Sequence, residues 1–199
     1  ATKEKLKSYF EEICDSGARL MVLLNDLLDL SKLEAGKIAY ALRPGDLAEV
    51  ARSVAAEMGA FAAEKGLTLD VASGSAASHG TFDPERMAQV IRNLVSNAIK
   101  FSLKGTAVRV AFSGDGDRIR CQVSNSGVGI PADELEAIFD KFTQSSKTKT
   151  GAGGTGLGLA ICREIVLQHG GRIWAESEMG GETKFTIELA REGRIQEAA

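Results

Sequence analysis

The chain has 199 residues, 44% of them hydrophobic and 26% charged, with a net charge of −3. That is enough apolar material for one ordinary core, and the charge balance argues against disorder and against a nucleic-acid backbone as obligatory partner. No apolar run approaches the roughly eighteen residues that span a bilayer, and the opening ATKEKLK carries no apolar stretch behind its lysines. A cytoplasmic protein, membrane-bound only through segments of a parent protein, is expected. Cys14, Cys121 and Cys162 are too few and too scattered for a disulfide framework or a zinc cluster, and predict small buried hydrophobes in a reducing compartment.

Residues 3 to about 36 predict one long helix. Phe10, Ile13, Gly17, Leu20, Leu24 and Leu27 recur at alternating spacings of three and four, with Glu12, Asp26 and Lys32 on the other side. Periodicity alone divides evenly between a helix packed on its own domain and one strand of an antiparallel bundle. Gly36 offers a stop. Ala48, Val50, Val54, Met58 and Phe61 outline a second helix to about Gly66, and Leu67–Val71 alternates as a short strand. A polar loop, SGSAASHG, follows. Asp83-Pro84-Glu85 is a helix start, and Met87, Val90, Ile91, Leu94, Val95 and Ile99 carry an apolar face to about Ser102. Strands at 107–112 and 118–123 flank a Gly-Asp-Gly-Asp hairpin turn. Pro131 opens a short helix ending near Phe139. Beyond a Ser/Thr/Lys/Gly loop, a helix to about His169 and strands at 172–176 and 184–189 complete an α+β fold: a two-layer α/β sandwich, its mixed sheet covered by helices on one face.

Glycine is the compositional outlier, 22 in all, with nine between Gly151 and Gly181. Three segments carry candidate chemistry. On the helix after Pro84, Asn93, Asn97 and Lys100 share one face. Carboxamide oxygens suit a hard, hydrated Mg²⁺ and an ammonium suits phosphate, although a plain solvated face has the same composition. Asn125-Ser126-Gly127-Val128-Gly129-Ile130-Pro131 follows a strand. Its two glycines permit close approach to a flat ligand and its amide can meet a heterocycle edge, or it is simply a tight turn. Gly151–Leu159 leads into a helix whose first N–H groups form an anion site. No Gly-Lys-Ser/Thr closes it, so it is not a P-loop.

In this order the three segments resemble the N, G1 and G2 boxes of the histidine-kinase ATP-binding domain, whose Bergerat-type sandwich is shared with gyrase, the Hsp90 chaperone and MutL. Ile138-Phe139-Asp140-Lys141-Phe142 is similar to its F box, and residues 16–36, including Asn25-Asp26-Leu27-Leu28-Asp29-Leu30, to the second helix of the dimerisation and phosphotransfer bundle. The resemblance implies a bundle helix over 1–40, a catalytic domain over 41–191 and a tail over 192–199. It implies Asn97 and Asn93 at Mg²⁺, Lys100 on phosphate, Phe101 near sugar or base, and Gly127, Gly129 and Ile130 beside adenine with Thr183 at the floor. Residues 145–153 look like the ATP lid, with Phe142 before it. Gly154, Thr155, Gly156, Leu157, Gly158 and Leu159 are implied at the phosphates. Lys147 and Lys149 either assist or are solvated loop charges.

Two positions depart from the family pattern. The bundle phosphoacceptor histidine has no counterpart, since only His79 and His169 occur; this is expected of a fragment beginning after the first bundle helix, or of a protein that never had it. A lone second helix leaves its apolar stripe uncovered, so a homodimer or bundle partner is expected through residues 6–33. The G1 box opens with Asn125 where the family usually has aspartate, which weakens the bond to adenine without abolishing it. Asn93 stands where ATP-hydrolysing relatives place glutamate, so slow water attack is expected. The function implied is the ATP- and Mg²⁺-binding catalytic part of a sensor histidine kinase. It would phosphorylate a bundle histidine outside this chain for relay to a response regulator. A pseudokinase scaffold is the alternative, and a serine kinase of the anti-sigma type a third reading.

Overall fold

Asp46 and Asp83 each stand just ahead of an apolar-periodic run, and each caps a helix. Asp46 accepts a hydrogen bond from the Ala48 N–H at 2.9 Å, and Asp83 accepts from Glu85 and Arg86 at 3.0 and 3.2 Å. The computed structural model describes residues 3–35, 38–74, 76–147 and 154–193. Its elements in chain order are α1 (Lys3–Glu34), β1 (Arg43–Asp46), α2 (Leu47–Glu64), β2 (Thr68–Val71), β3 (His79–Phe82), α3 (Pro84–Phe101), β4 (Ala107–Asp115), β5 (Arg118–Ser126), α4 (Gly158–Gln168), β6 (Arg172–Ser177) and β7 (Glu182–Ala190).

The main sheet runs β2-β4-β5-β7-β6; β2 pairs parallel with β4 and every other neighbour is antiparallel. Alternation decides its buried face. Val108 and Val110 of β4, Ile119, Cys121 and Val123 of β5, and Phe185, Ile187 and Leu189 of β7 point into the core against α3 and α4. The other face is polar. Glu188, 3% exposed, is enclosed by guanidiniums of Arg120 and Arg172, which hold its carboxyl below the usual glutamate range against the opposing effect of burial. This is the α/β sandwich, with its helices on one side of a mixed sheet.

α1 behaves differently along its length. Leu30 and Leu33 are buried in the shared core, and Asp29 accepts from the Gln89 amide of α3 at 3.1 Å. Towards the amino terminus, Phe10, Ile13, Leu20, Leu24 and Leu27 remain 45–66% exposed. No helix among the described residues is long and apolar enough to cross a membrane.

Several expectations need correction. β1 and β3 form a separate two-stranded antiparallel sheet where no strand is expected, and β3 takes its first two residues from the expected polar loop. Arg43-Pro44-Gly45-Asp46 has no period-two signal; the pairing is tertiary, with Gly45 bare against the Phe82 ring. The short helix after Pro131 is two separate 3₁₀ turns, Ala132–Glu134 and Ala137–Phe139. β5 continues through Ser126, so Asn125 lies within a strand and not after one. Cys121 and Cys162 are buried, with thiols pushed up to about 12 by desolvation, but Cys14 is exposed on α1. Gly36, the segment 148–153 and the tail 194–199 lie outside the described residues.

Candidate functional site

The amide stripe of α3 follows from that helix's apolar face. With Leu94, Val95, Ala98 and Ile99 committed to the core, Asn93, Ser96, Asn97 and Lys100 are turned towards the space between α3 and the start of α4. That space is a cavity of about 540 Å³, within the range of small-molecule sites. The second wall is the turn after β5. Its approach to α3 is fixed by a bridge between Ser102 and Gly127 and by the Leu103 N–H donating to the Ser126 carbonyl at 2.9 Å.

The glycines of this turn serve the protein's own packing. A Cβ on Gly127 would collide with the Phe101 carbonyl, and one on Gly129, at φ +78°, would come within 2.5 Å of the Glu178 carbonyl. The β6–β7 turn therefore closes directly behind Val128, whose carbonyl accepts from the Gly180 N–H. Beyond it, the Ile130 N–H donates to Ser177 Oγ at 2.9 Å, and Ser177 Oγ lies 2.6 Å from Thr183 Oγ1. Thr183 stands directly opposite Asn125 in the β5–β7 register, both are 5% exposed, and both line the cavity. The Asn125 amide has no hydrogen-bond partner among the described residues.

The third wall is the segment entering α4. Thr155 Oγ1 accepts from the Leu157 N–H, and Gly156, at φ +70°, lies so close to Phe142 that a Cβ would be 2.8 Å from its backbone. Asn93 Nδ2 donates to the Gly158 carbonyl at 3.2 Å, joining α3 to α4 and leaving its own oxygen for other use. The N-cap residue, Leu157, makes no side-chain capping bond, and Gly158 and Leu159 of the first turn line the cavity, where a helix N-terminus favours an anion.

The cavity thus brings together Asn93, Asn97, Lys100, Phe101, Asn125, Gly127, Gly129, Ile130, Gly154, Thr155, Gly156, Gly158, Leu159 and Thr183. Two of the expected residues lie elsewhere. Leu157 is fully buried in the core with its N–H taken by Thr155, and Phe142 is 62% exposed, outside the cavity, with a left-handed backbone at φ +62°. The largest feature that sequence reading missed is a fourth wall. Ala18, Val22, Leu23 and Asp26 of α1 line the same cavity, and Asp26 accepts from Thr155 Oγ1 at 2.9 Å. Burial pushes the Asp26 carboxyl above its ordinary value, opposed by the Thr155 bond and by Lys100.

The donor set fits a magnesium–triphosphate ligand. No cluster of three His, Cys, Asp or Glu side chains exists among the described residues. A cation here would rest on the amide oxygens of Asn97 and Asn93 and on ligand phosphates, which suits an ion that retains waters. Asn125 and Thr183, both buried, present a polar edge to the same cavity.

Comparison with known proteins identifies the family. The profile described as histidine kinase-, DNA gyrase B-, and HSP90-like ATPase matches residues 82–193. The circadian input-output histidine kinase CikA of Synechococcus elongatus is 38% identical over 196 residues, covering 97% of this chain and 26% of CikA. The crystal structure of full-length ShkA in complex with AMPPNP superposes with a TM-score of 0.79 at 30% identity, covering 96% of this chain and 40% of ShkA. Histidine kinase ThkA, solved in complex with the response regulator TrrA, gives 0.76 at 26% identity, with 96% of this chain and 53% of that one covered. The chain spans about a quarter of the length of CikA.

Proposed function

The chain belongs to the histidine kinase-, DNA gyrase B- and HSP90-like ATPases, and from that premise we propose that it is the ATP-binding catalytic part of a sensor histidine kinase. On this reading it donates the γ-phosphoryl group of Mg-ATP to a bundle histidine, for relay to a response regulator aspartate. One observation carries the proposal: three segments far apart in sequence, the α3 amide stripe, the turn after β5 and the start of α4, line a single cavity. The AMPPNP complex of ShkA and the TrrA complex of ThkA support it.

Each wall has a task. Asn125 and Thr183 hold the base edge, and Gly127, Gly129 and Ile130 border it. Lys100 and the N-terminal N–H groups of α4 orient the phosphates and balance their charge. Asn97, with the Asn93 oxygen, would hold Mg²⁺, which when bound supplies neutralisation of developing phosphate charge. Asn93 is an amide already engaged with Gly158. It cannot act as general base towards water, so the site favours an oriented nucleophile over hydrolysis. His169 is unsuited to be that nucleophile: Nδ1–H donates to the Ile165 carbonyl at 2.7 Å, and Nε2 accepts from the Asp83 N–H at 3.2 Å. The exposed apolar stripe of α1 is the surface through which a bundle would present its histidine.

The test combines calorimetry with phosphoryl transfer. Mg-ATP is expected to bind the chain, and γ-labelled ATP to label a separately supplied bundle carrying its histidine, but neither His79 nor His169. Absence of ATP binding, or label on His169, overturns the assignment.

A further inference from the structure

The polar edge of the cavity can reverse its hydrogen-bonding sense. Asn125 is 5% exposed, lines the cavity, and makes no side-chain hydrogen bond to any described residue. No described residue therefore fixes which end of its amide, the carbonyl or the NH₂, faces inward. Opposite it in the strand register, Thr183 is equally buried, and its hydroxyl has one partner, Ser177 Oγ at 2.6 Å. Ser177 Oγ accepts from the Ile130 N–H. It still has a lone pair to receive the Thr183 proton and a proton of its own to give, so the pair can run in either direction.

Adenine presents an amino donor at C6 and an acceptor at N1. A 6-oxopurine presents the reverse, an acceptor at C6 and a donor at N1. A carboxylate at position 125 could only accept, and would face the 6-oxo group with like polarity. The amide can turn its NH₂ to that oxygen, while the Thr183 hydroxyl oxygen accepts from the N1–H and its own O–H donates to Ser177 Oγ. We propose that this site takes 6-oxopurine nucleoside triphosphates as well as ATP, with Asn125 as the residue that sets purine selectivity. The proposal rests on the reading of the cavity as a nucleotide site.

Displacement of a fluorescent ATP analogue from the full chain by ATP and by inosine triphosphate, neither of which has a 2-amino group, separates the possibilities. The wild-type chain is expected to bind inosine triphosphate less than tenfold more weakly than ATP. In Asn125→Asp the ATP affinity is expected to rise about fivefold and the inosine triphosphate affinity to fall roughly tenfold, because a buried mismatched polar pair is left without its bond. Displacement by ATP with inosine triphosphate tenfold weaker or worse in the wild-type chain overturns this inference alone, as does an unchanged ratio in the variant. No displacement by either nucleotide overturns the nucleotide site and this inference with it.

Discussion

Asp26 and Thr155 are 129 positions apart in sequence, yet the threonine hydroxyl donates to the aspartate carboxylate at 2.9 Å. The bond joins α1 to the segment leading into α4, at the side of the cavity where Lys100 also lies. Because Thr155 simultaneously accepts from the Leu157 N–H, one hydroxyl couples the position of α1 to the first turn of α4. A carboxylate placed there shares its neighbourhood with any phosphate that enters, and like charges in a partly desolvated site repel more strongly than in water.

Asp26→Asn keeps the shape and an oxygen for Thr155 but removes the charge. ATP affinity is expected to rise about threefold to tenfold at low ionic strength, and the gain should shrink as salt is added. Titration calorimetry at two salt concentrations measures both. Unchanged or weaker binding would mean that Asp26 lies outside the phosphate field.

Asn97 has no hydrogen-bond partner among the described residues and lines the cavity one helical turn from Asn93. Replacing it with alanine is expected to lower ATP affinity roughly tenfold in the presence of Mg²⁺, the loss of one charge-assisted contact. With the metal chelated, wild type and variant should bind alike. A loss of equal size without metal would place Asn97 on the nucleotide itself.

Gly156 and Gly158 belong to one motif but make opposite demands. At Gly156 a methyl group meets the Phe142 backbone at 2.8 Å, and φ is +70°; alanine there should destabilise the fold by roughly 2 kcal/mol or more. At Gly158 the nearest atoms are those of the Asn93 amide at 3.7 Å, an ordinary contact. Alanine at that position should leave stability within about 0.5 kcal/mol. Thermal denaturation of the two variants is the comparison, and equal losses would contradict it.

What sequence reading reached, and where it stopped, follows from the kind of signal involved. α3 announces itself through Asp83, Pro84 and a strict apolar face, and that same face dictates where Asn93, Asn97 and Lys100 must point. The heptad rhythm of α1 states which side is apolar but not where the helix docks, so Asp26 could not be connected to Thr155 before the α1–α4 packing was known. Ser177 was invisible for a similar reason. A single serine at a strand end carries no pattern, and its contact with Thr183 depends on the β6–β7 register. Gly127 and Gly129 stand out in the sequence, and the close backbone approach that requires them is to Phe101 and Glu178.

His169 gives the stability a dependence on pH. Its ring is 2% exposed and meets Tyr40 edge to face at a centroid distance of 5.1 Å; Nδ1–H donates to the Ile165 carbonyl and Nε2 accepts from the Asp83 N–H. A proton on Nε2 would face another N–H. Burial lowers the imidazole pKa below its ordinary 6.5, although the Ile165 bond and the Asp83 charge act the other way. The unfolded chain therefore binds a proton first as pH falls through 6.5, and between that value and the folded pKa stability decreases by up to about 1.4 kcal/mol per pH unit. Above neutrality this contribution is fully present. The carboxyls of Asp46, Glu182 and Glu188 sit below their ordinary values and act only in more acidic solution. Denaturation midpoints are thus expected to be flat from about pH 8 to 7 and to fall as the pH drops below about 6.5, and His169→Gln should flatten that slope while lowering the plateau. An identical slope in the variant would assign the acid sensitivity to another group.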